Sequence, residues 1–242
     1  MHGWHSWRMT HTPLWLIANW KMNGDAARVA DYAFAVNRTL AEAPQGLRGV
    51  FCPPVPYLAV AKQALPANAC VALGAQDCHE AEKGAHTGEV SAPMLADMGC
   101  GYVIVGHSER RAMGETDARV AAKTAAALAA GLVPVVCVGE SAADYTQGHT
   151  QAVLAAQLAG LKPYASAKLL VAYEPVWAIG TGKTPTLMEI ATAHRFIKTA
   201  LGSDVPVLYG GSVNPANVAK IVQLPEVSGA LIGGASLEIN SM

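Results

Sequence analysis

Charge is scarce in this chain. Asp, Glu, Lys and Arg make up 14% of its 242 residues, while 52% are hydrophobic. That balance excludes a disordered chain and predicts a well-buried core. The formal net charge is -1, so there is no broad electrostatic pull towards nucleic acid or a membrane surface. No apolar run approaches the roughly 20 residues of a transmembrane helix. The five cysteines are odd in number and no Cys-x-x-Cys pair occurs, which argues against a disulfide framework and against a zinc site. Reduced, mostly buried thiols and a cytoplasmic location are expected. No His-Glu-x-x-His or comparable metal pattern is present. Met1–Arg8 lacks the apolar centre of a signal peptide. Residues 1–8 are expected to be a flexible extension, with residues 9–242 forming one catalytic domain.

What the chain does have is a recurring unit. A short run rich in Val, Ile or Leu is followed by a polar or Gly/Pro loop and then an Ala-rich stretch of helical spacing. Strands are predicted near 14–18, 49–52, 70–76, 102–105, 133–138, 169–173, 207–209 and 230–232. Helices are predicted near 26–43, 57–64, 92–98, 117–129, 150–161, 187–201 and 216–222. Continuous apolar strands alternating with helices imply a parallel sheet covered by helices. Eight such strands in this length suit a closed (β/α)8 barrel, with a doubly wound open sheet as the alternative. Residues after 232 offer at most two helical turns, so the last helix is expected to be truncated.

In a parallel barrel, chemistry collects at the C-terminal ends of the strands. One carboxylate, Glu174, stands where the sixth strand should stop. Pro175 follows and ends ladder hydrogen bonding. Then comes an apolar loop tip, Val176-Trp177-Ala178-Ile179, of a kind that suits a lid excluding water. An ordinary loop with a paired surface glutamate would use the same residues, and the two readings are about equal on this stretch alone. Gly180-Thr181-Gly182-Lys183-Thr184 has the look of a P-loop end, but the glycine required five positions before Gly182 is Trp177, so an ATP site is rejected. Gly210-Gly211-Ser212 and Gly233-Gly234 follow strands seven and eight, where barrel phosphate sites are commonly built. His107 opens a helical start, whose N–H groups favour a neutral imidazole able to donate to a carbonyl oxygen. Lys21 suits a phosphate or enolate oxygen, and Asn19 reaches the same side.

Taken together, Asn19-Trp20-Lys21-Met22-Asn23, Gly106-His107-Ser108-Glu109-Arg110-Arg111, Cys137-Val138-Gly139-Glu140, Tyr173 through Lys183, Tyr209-Gly210-Gly211-Ser212 and Gly233 through Leu237 closely resemble the triosephosphate isomerase family. The likeness runs in order from about Leu14 to Leu237. It implies a TIM barrel that interconverts dihydroxyacetone phosphate and D-glyceraldehyde 3-phosphate, a step of glycolysis and gluconeogenesis, without metal or organic cofactor. The pairing of a glutamate base with a neutral histidine is taken over from this family's known mechanism. The resemblance makes Glu174 the base, His107 the electrophile, Lys21 the stabilising cation and Asn19 a positioning group. Phosphate would rest on N–H groups of Gly180, Ser212, Gly233 and Gly234. Ser108, Glu109, Glu140, Tyr173, Trp177 and Tyr209 would support the site. The resemblance also implies a homodimer through loop 76–89, with Thr87 as a contact. Departures are His86, where an aromatic is common, Pro185, which has no N–H after the lid, and the short tail. The rival from another class is a barrel that binds phosphometabolites or protein partners without turnover; a base beside a lid argues against it.

Overall fold

The structure, a computed structural model, describes residues 13–179 and 183–239. The sequence expectations at residues 1–8 and at Gly180 therefore lie outside the described residues. Eight parallel strands close into a barrel in chain order: β1 (Leu14–Asn19), β2 (Leu47–Cys52), β3 (Val71–Ala75), β4 (Tyr102–Val105), β5 (Val133–Val138), β6 (Leu170–Tyr173), β7 (Val207–Tyr209) and β8 (Gly229–Ile232). Closure is made by β8 lying against β1, with Ile17 level with Leu231. The open-sheet alternative is thereby excluded.

The expected helices form, α5 (Asp117–Ala129) and α8 (Leu187–Leu201) with the expected bounds and α1 (Ala26–Ala41), α2 (Leu58–Ala64), α3 (Ala92–Asp97), α7 (Thr150–Ala159) and α9 (Val218–Val222) with one end shorter. One short helix is additional, α6 (Ala142–Thr146), and the helical start expected behind His107 is α4 (Ser108–Ala112). After β8 the described chain makes one 3-10 turn, Gly234–Leu237.

Local chemistry explains the starts and faces. Asp25 caps α1 by accepting from the Arg28 N–H, supplying one partner that a helix end lacks. Val29, Tyr32, Ala33 and Val36 then form its buried stripe, at the spacing of one helical face. Thr186 and Glu189 form a reciprocal capping box at α8.

The core has two layers. Ile17, Val50, Ile104, Val135, Leu170, Leu208 and Leu231 fill the barrel interior. The other parity of the strands, including Phe51, Val103, Val136, Val171 and Val207, packs under the helices. This alternation follows from the period of two along a strand. It also decides which residues stand over the barrel mouth.

Candidate active site

Continuing the inward parity one step beyond the interior layer brings Asn19, Glu174, Gly210 and Gly233 over the mouth. They border a cavity of about 270 Å³ together with Lys21, His107, Ile179, Ser212 and Gly234. Residues 19, 107, 174, 212 and 233, more than 200 positions apart at the extremes, thus share one space.

Glu174 is only 2% exposed. Its Oε2 accepts from the Ser108 N–H at 2.8 Å, and its Oε1 lies 2.9 Å from His107 Nε2. Its own N–H donates to Val138 O at 2.7 Å, extending the β5–β6 ladder by one residue. Two flanking glycines make room. A Cβ at Gly139 would fall 1.7 Å from Glu174 O, and one at Gly210 would fall 2.9 Å from Glu174 Cγ. No other residue type fits at position 139 without moving the strand end.

His107 is the N-cap of α4, and its Nδ1 accepts from the Glu109 N–H at 3.2 Å. An imidazole nitrogen that accepts carries no proton, so in this arrangement the ring is the neutral tautomer with its hydrogen on Nε2. That hydrogen is directed at Glu174 Oε1. Cys137 is buried beside this pair. Burial, and secondarily the Glu174 charge, hold its thiol well above the usual range, so it stays protonated.

Lys21 has a positive φ of 52°, unlike the other described non-glycine residues. Three contacts hold this turn. Its N–H donates to Asn19 Oδ1 at 3.1 Å, its carbonyl accepts from Gln76 Nε2 at 2.9 Å, and its ammonium pairs with Glu109 Oε1 at 2.6 Å. Gln76 also donates to Cys52 O at 2.9 Å. The sequence reading missed Gln76 as a buttress of Lys21. Its partners lie 55 and 24 positions away, and no local pattern announces it.

Glu140 is fully buried. Its Oε1 accepts from Tyr173 OH at 3.1 Å and from Trp177 Nε1 at 2.8 Å, and its carbonyl accepts from the Val176 N–H. Both aromatic partners are held together in this arrangement. Burial, and then Glu140, push the Tyr173 phenol far up. Ser212 Oγ donates to Ala178 O at 3.0 Å. The Tyr209 hydroxyl is buried with no hydrogen-bond partner among the described residues.

On the far side of Lys21 a second hollow of about 370 Å³ is lined by Asn19, Gln76, Asp77, Glu89 and Glu109 among others. The adjoining 84–89 segment, which carries Thr87, is exposed, and the His86 ring lies 4.0 Å from that of His79. Among the described residues, no three acidic, histidine or cysteine side chains are grouped to hold a metal ion.

A sequence profile of the family described as triosephosphate isomerase matches residues 14–242. Among proteins carrying that name, one from Acidiphilium cryptum is 48% identical over 243 residues, covering 93% of this chain and 94% of its own length. One from a Ruegeria species is 49% identical over 230 residues, 91% of each chain. One from Alcanivorax borkumensis is 47% identical over 247 residues, 96% of each. With this coverage and the barrel described above, the chain belongs to the triosephosphate isomerase family.

Proposed function

We propose that this chain interconverts dihydroxyacetone phosphate and D-glyceraldehyde 3-phosphate by moving one proton through an enediolate. One observation carries the reading. A buried carboxylate, a neutral imidazole N–H and an ammonium group border the same small cavity as Ser212, Gly233 and Gly234. The glycine-rich rim suits a phosphate. The carboxylate suits abstraction of a proton next to a carbonyl.

Glu174 takes the proton from carbon. Substrate entry has to break its contact with His107, because the same Nε2–H is needed by the substrate carbonyl oxygen. His107 then polarises that oxygen and moves protons on the enediolate. Lys21 offsets the developing negative charge, where a preorganised cation acts most strongly. Asn19 and Glu109 keep Lys21 directed at the cavity. The apolar Val176–Ile179 stretch shields the enediolate from water. The proton leaves and returns on one carbon skeleton, so the proposed chemistry calls for no cofactor.

The same reading includes a homodimer, with the exposed 84–89 segment and Thr87 entering the hollow beside Lys21 of a second copy. Light scattering at micromolar concentration tests this, and a monomer mass would refute it. A cytoplasmic location fits the composition; among the described residues no helix is long and apolar enough to cross a membrane.

The decisive experiment is isomerisation of dihydroxyacetone phosphate by the purified chain beside its Glu174→Gln variant. We expect turnover in the first and a kcat lower by about 10³-fold in the second, within the range of a lost general base. Binding of inorganic phosphate should persist in the variant. Equal turnover in both would remove Glu174 from the chemistry.

A further inference from the structure

We infer that Tyr145 is a positioning residue for the isomerisation, joining with one side chain the two flanks of the loop that leaves Glu174. The inference rests on the function proposed above.

Tyr145 stands on α6, in the segment after β5. Its ring lies flat on Trp177, with centroids 3.9 Å apart and planes within 18°. Trp177 is three residues beyond the base, on the near flank. The Tyr145 hydroxyl donates to Glu189 Oε1 at 2.6 Å. The other oxygen of Glu189 accepts from the N–H and the hydroxyl of Thr186, at 2.7 and 2.8 Å. Thr186 caps α8 and ends the far flank. A continuous path of ring, hydroxyl and carboxylate therefore connects residue 177 to residue 186.

The chemistry at both ends of Tyr145 is directional. Aromatic rings in near-parallel contact resist sliding apart. The bond to Glu189 is charge-assisted; donation from Tyr145 holds the Glu189 carboxyl below its ordinary range. Glu140, from the same segment as Tyr145, accepts the Trp177 indole N–H and the Val176 amide. The chain between Trp177 and Glu174 is short and contains Pro175, whose φ is fixed. A shift of Trp177 is therefore passed to the backbone of the base. Misplacing a reacting group by about 1 Å costs on the order of 10²-fold in rate, so a tie that holds even a fraction of that displacement is visible in kcat. Substrate contacts at Lys21, Ser212 and Gly233 are not touched by Tyr145, so KM is the wrong place to look for it.

The test uses the full chain and its Tyr145→Ala and Tyr145→Phe variants, with kcat and KM for dihydroxyacetone phosphate. Indole emission is followed beside a Trp177→Phe reference. With the stack and the hydroxyl both lost, kcat should fall about tenfold in the alanine variant while KM stays within about twofold. The phenylalanine variant keeps the stack and should lose about threefold. Emission assigned to Trp177 should shift with alanine and hold with phenylalanine. A Tyr145→Ala kcat within about twofold of the parent, or a loss that appears equally in KM and in thermal stability, overturns the positioning role. Absence of turnover in the unaltered chain is a different failure, because it overturns the proposed function before any variant is compared.

Discussion

Besides Glu140, held by Tyr173 and Trp177, the molecule buries acidic side chains in two places built on opposite principles. Above the barrel mouth, Glu174 is met by neutral donors, an imidazole N–H and a backbone N–H, and borders an open cavity. Below the loop after β3, the ammonium of Lys123 is fully buried between Asp77 and Glu115, and Arg110 closes on Asp77 at 3.0 Å. Burial raises the Asp77 carboxyl, and Lys123 with Arg110 works against that rise. A carboxylate locked by opposite charge has little freedom to exchange a proton. One held by neutral groups can release them and act. Buried charge by itself therefore does not single out Glu174 for the proposed role; neutral partners together with access to a cavity do.

The sharpest way to break this comparison is to remove one charge from each place. Glu174→Gln should lose activity by the amount given above while its melting temperature stays close to that of the parent. A large fall in melting temperature would make Glu174 a structural group like Asp77. Lys123→Met should do the reverse. It strands the Glu115 carboxylate, leaves Asp77 to Arg110 alone, and should cost about 3–5 kcal/mol of stability, as other broken buried pairs do. The folded fraction should keep a near-normal kcat. Replacing Lys123, Asp77 and Glu115 together by apolar residues of similar size should recover much of that loss; if it does not, the cluster contributes more than charge compensation. Denaturant titration measures both.

A third buried group sharpens the contrast. His194 on α8 is fully buried edge-on to Tyr173, and this burial outweighs what the nearby backbone of Glu226 and Val207 offers its ring. Burial depresses it from 6.5 to about 3. The folded chain thus refuses a proton that the unfolded chain accepts. Its contribution is intact above pH 6.5 and is lost as pH falls from there towards 3. His194→Leu should flatten the decline of melting temperature between about pH 7 and pH 4. Parallel declines in parent and variant would exclude His194 as a source of acid sensitivity.

The sequence showed these places unequally, for physical reasons. Glu174 drew attention because a strand end, a proline, an apolar loop and glycines are all local signals, although on them alone a paired surface glutamate stood equally well and the family resemblance was needed to choose. The Lys123 cluster was not, although a lysine within the apolar stripe of Val120 and Ala127 is a faint clue. Its partner Asp77 is 46 positions away, and only barrel closure brings them together. Helix α6 went unread despite Ser141 and Asp144 forming a capping box, because it spans five residues and has no apolar face to announce it. Helix α4 was read only as a start behind His107, because its five residues carry no apolar stripe to give its extent. The Tyr145 bridge shares the limit of Gln76: its partners lie on other elements. The strands at β4, β5 and β7 were read to their ends because parallel strands buried on both faces are unbroken apolar runs.

Lys21 carries a last consequence. A left-handed backbone costs an ordinary residue about 1 kcal/mol or more relative to glycine, and here φ is 52°. Glycine at this position would ease the backbone and abolish the ammonium, so Lys21→Gly should keep or slightly raise thermal stability while isomerisation collapses. Lys21→Ala should lose the activity and keep the strain. Directed evolution of this protein for heat resistance alone, with no selection for turnover, would be drawn to glycine at position 21. On the proposed function, the fold and the chemistry hold opposing preferences at this one residue, and selection for turnover would keep the lysine there.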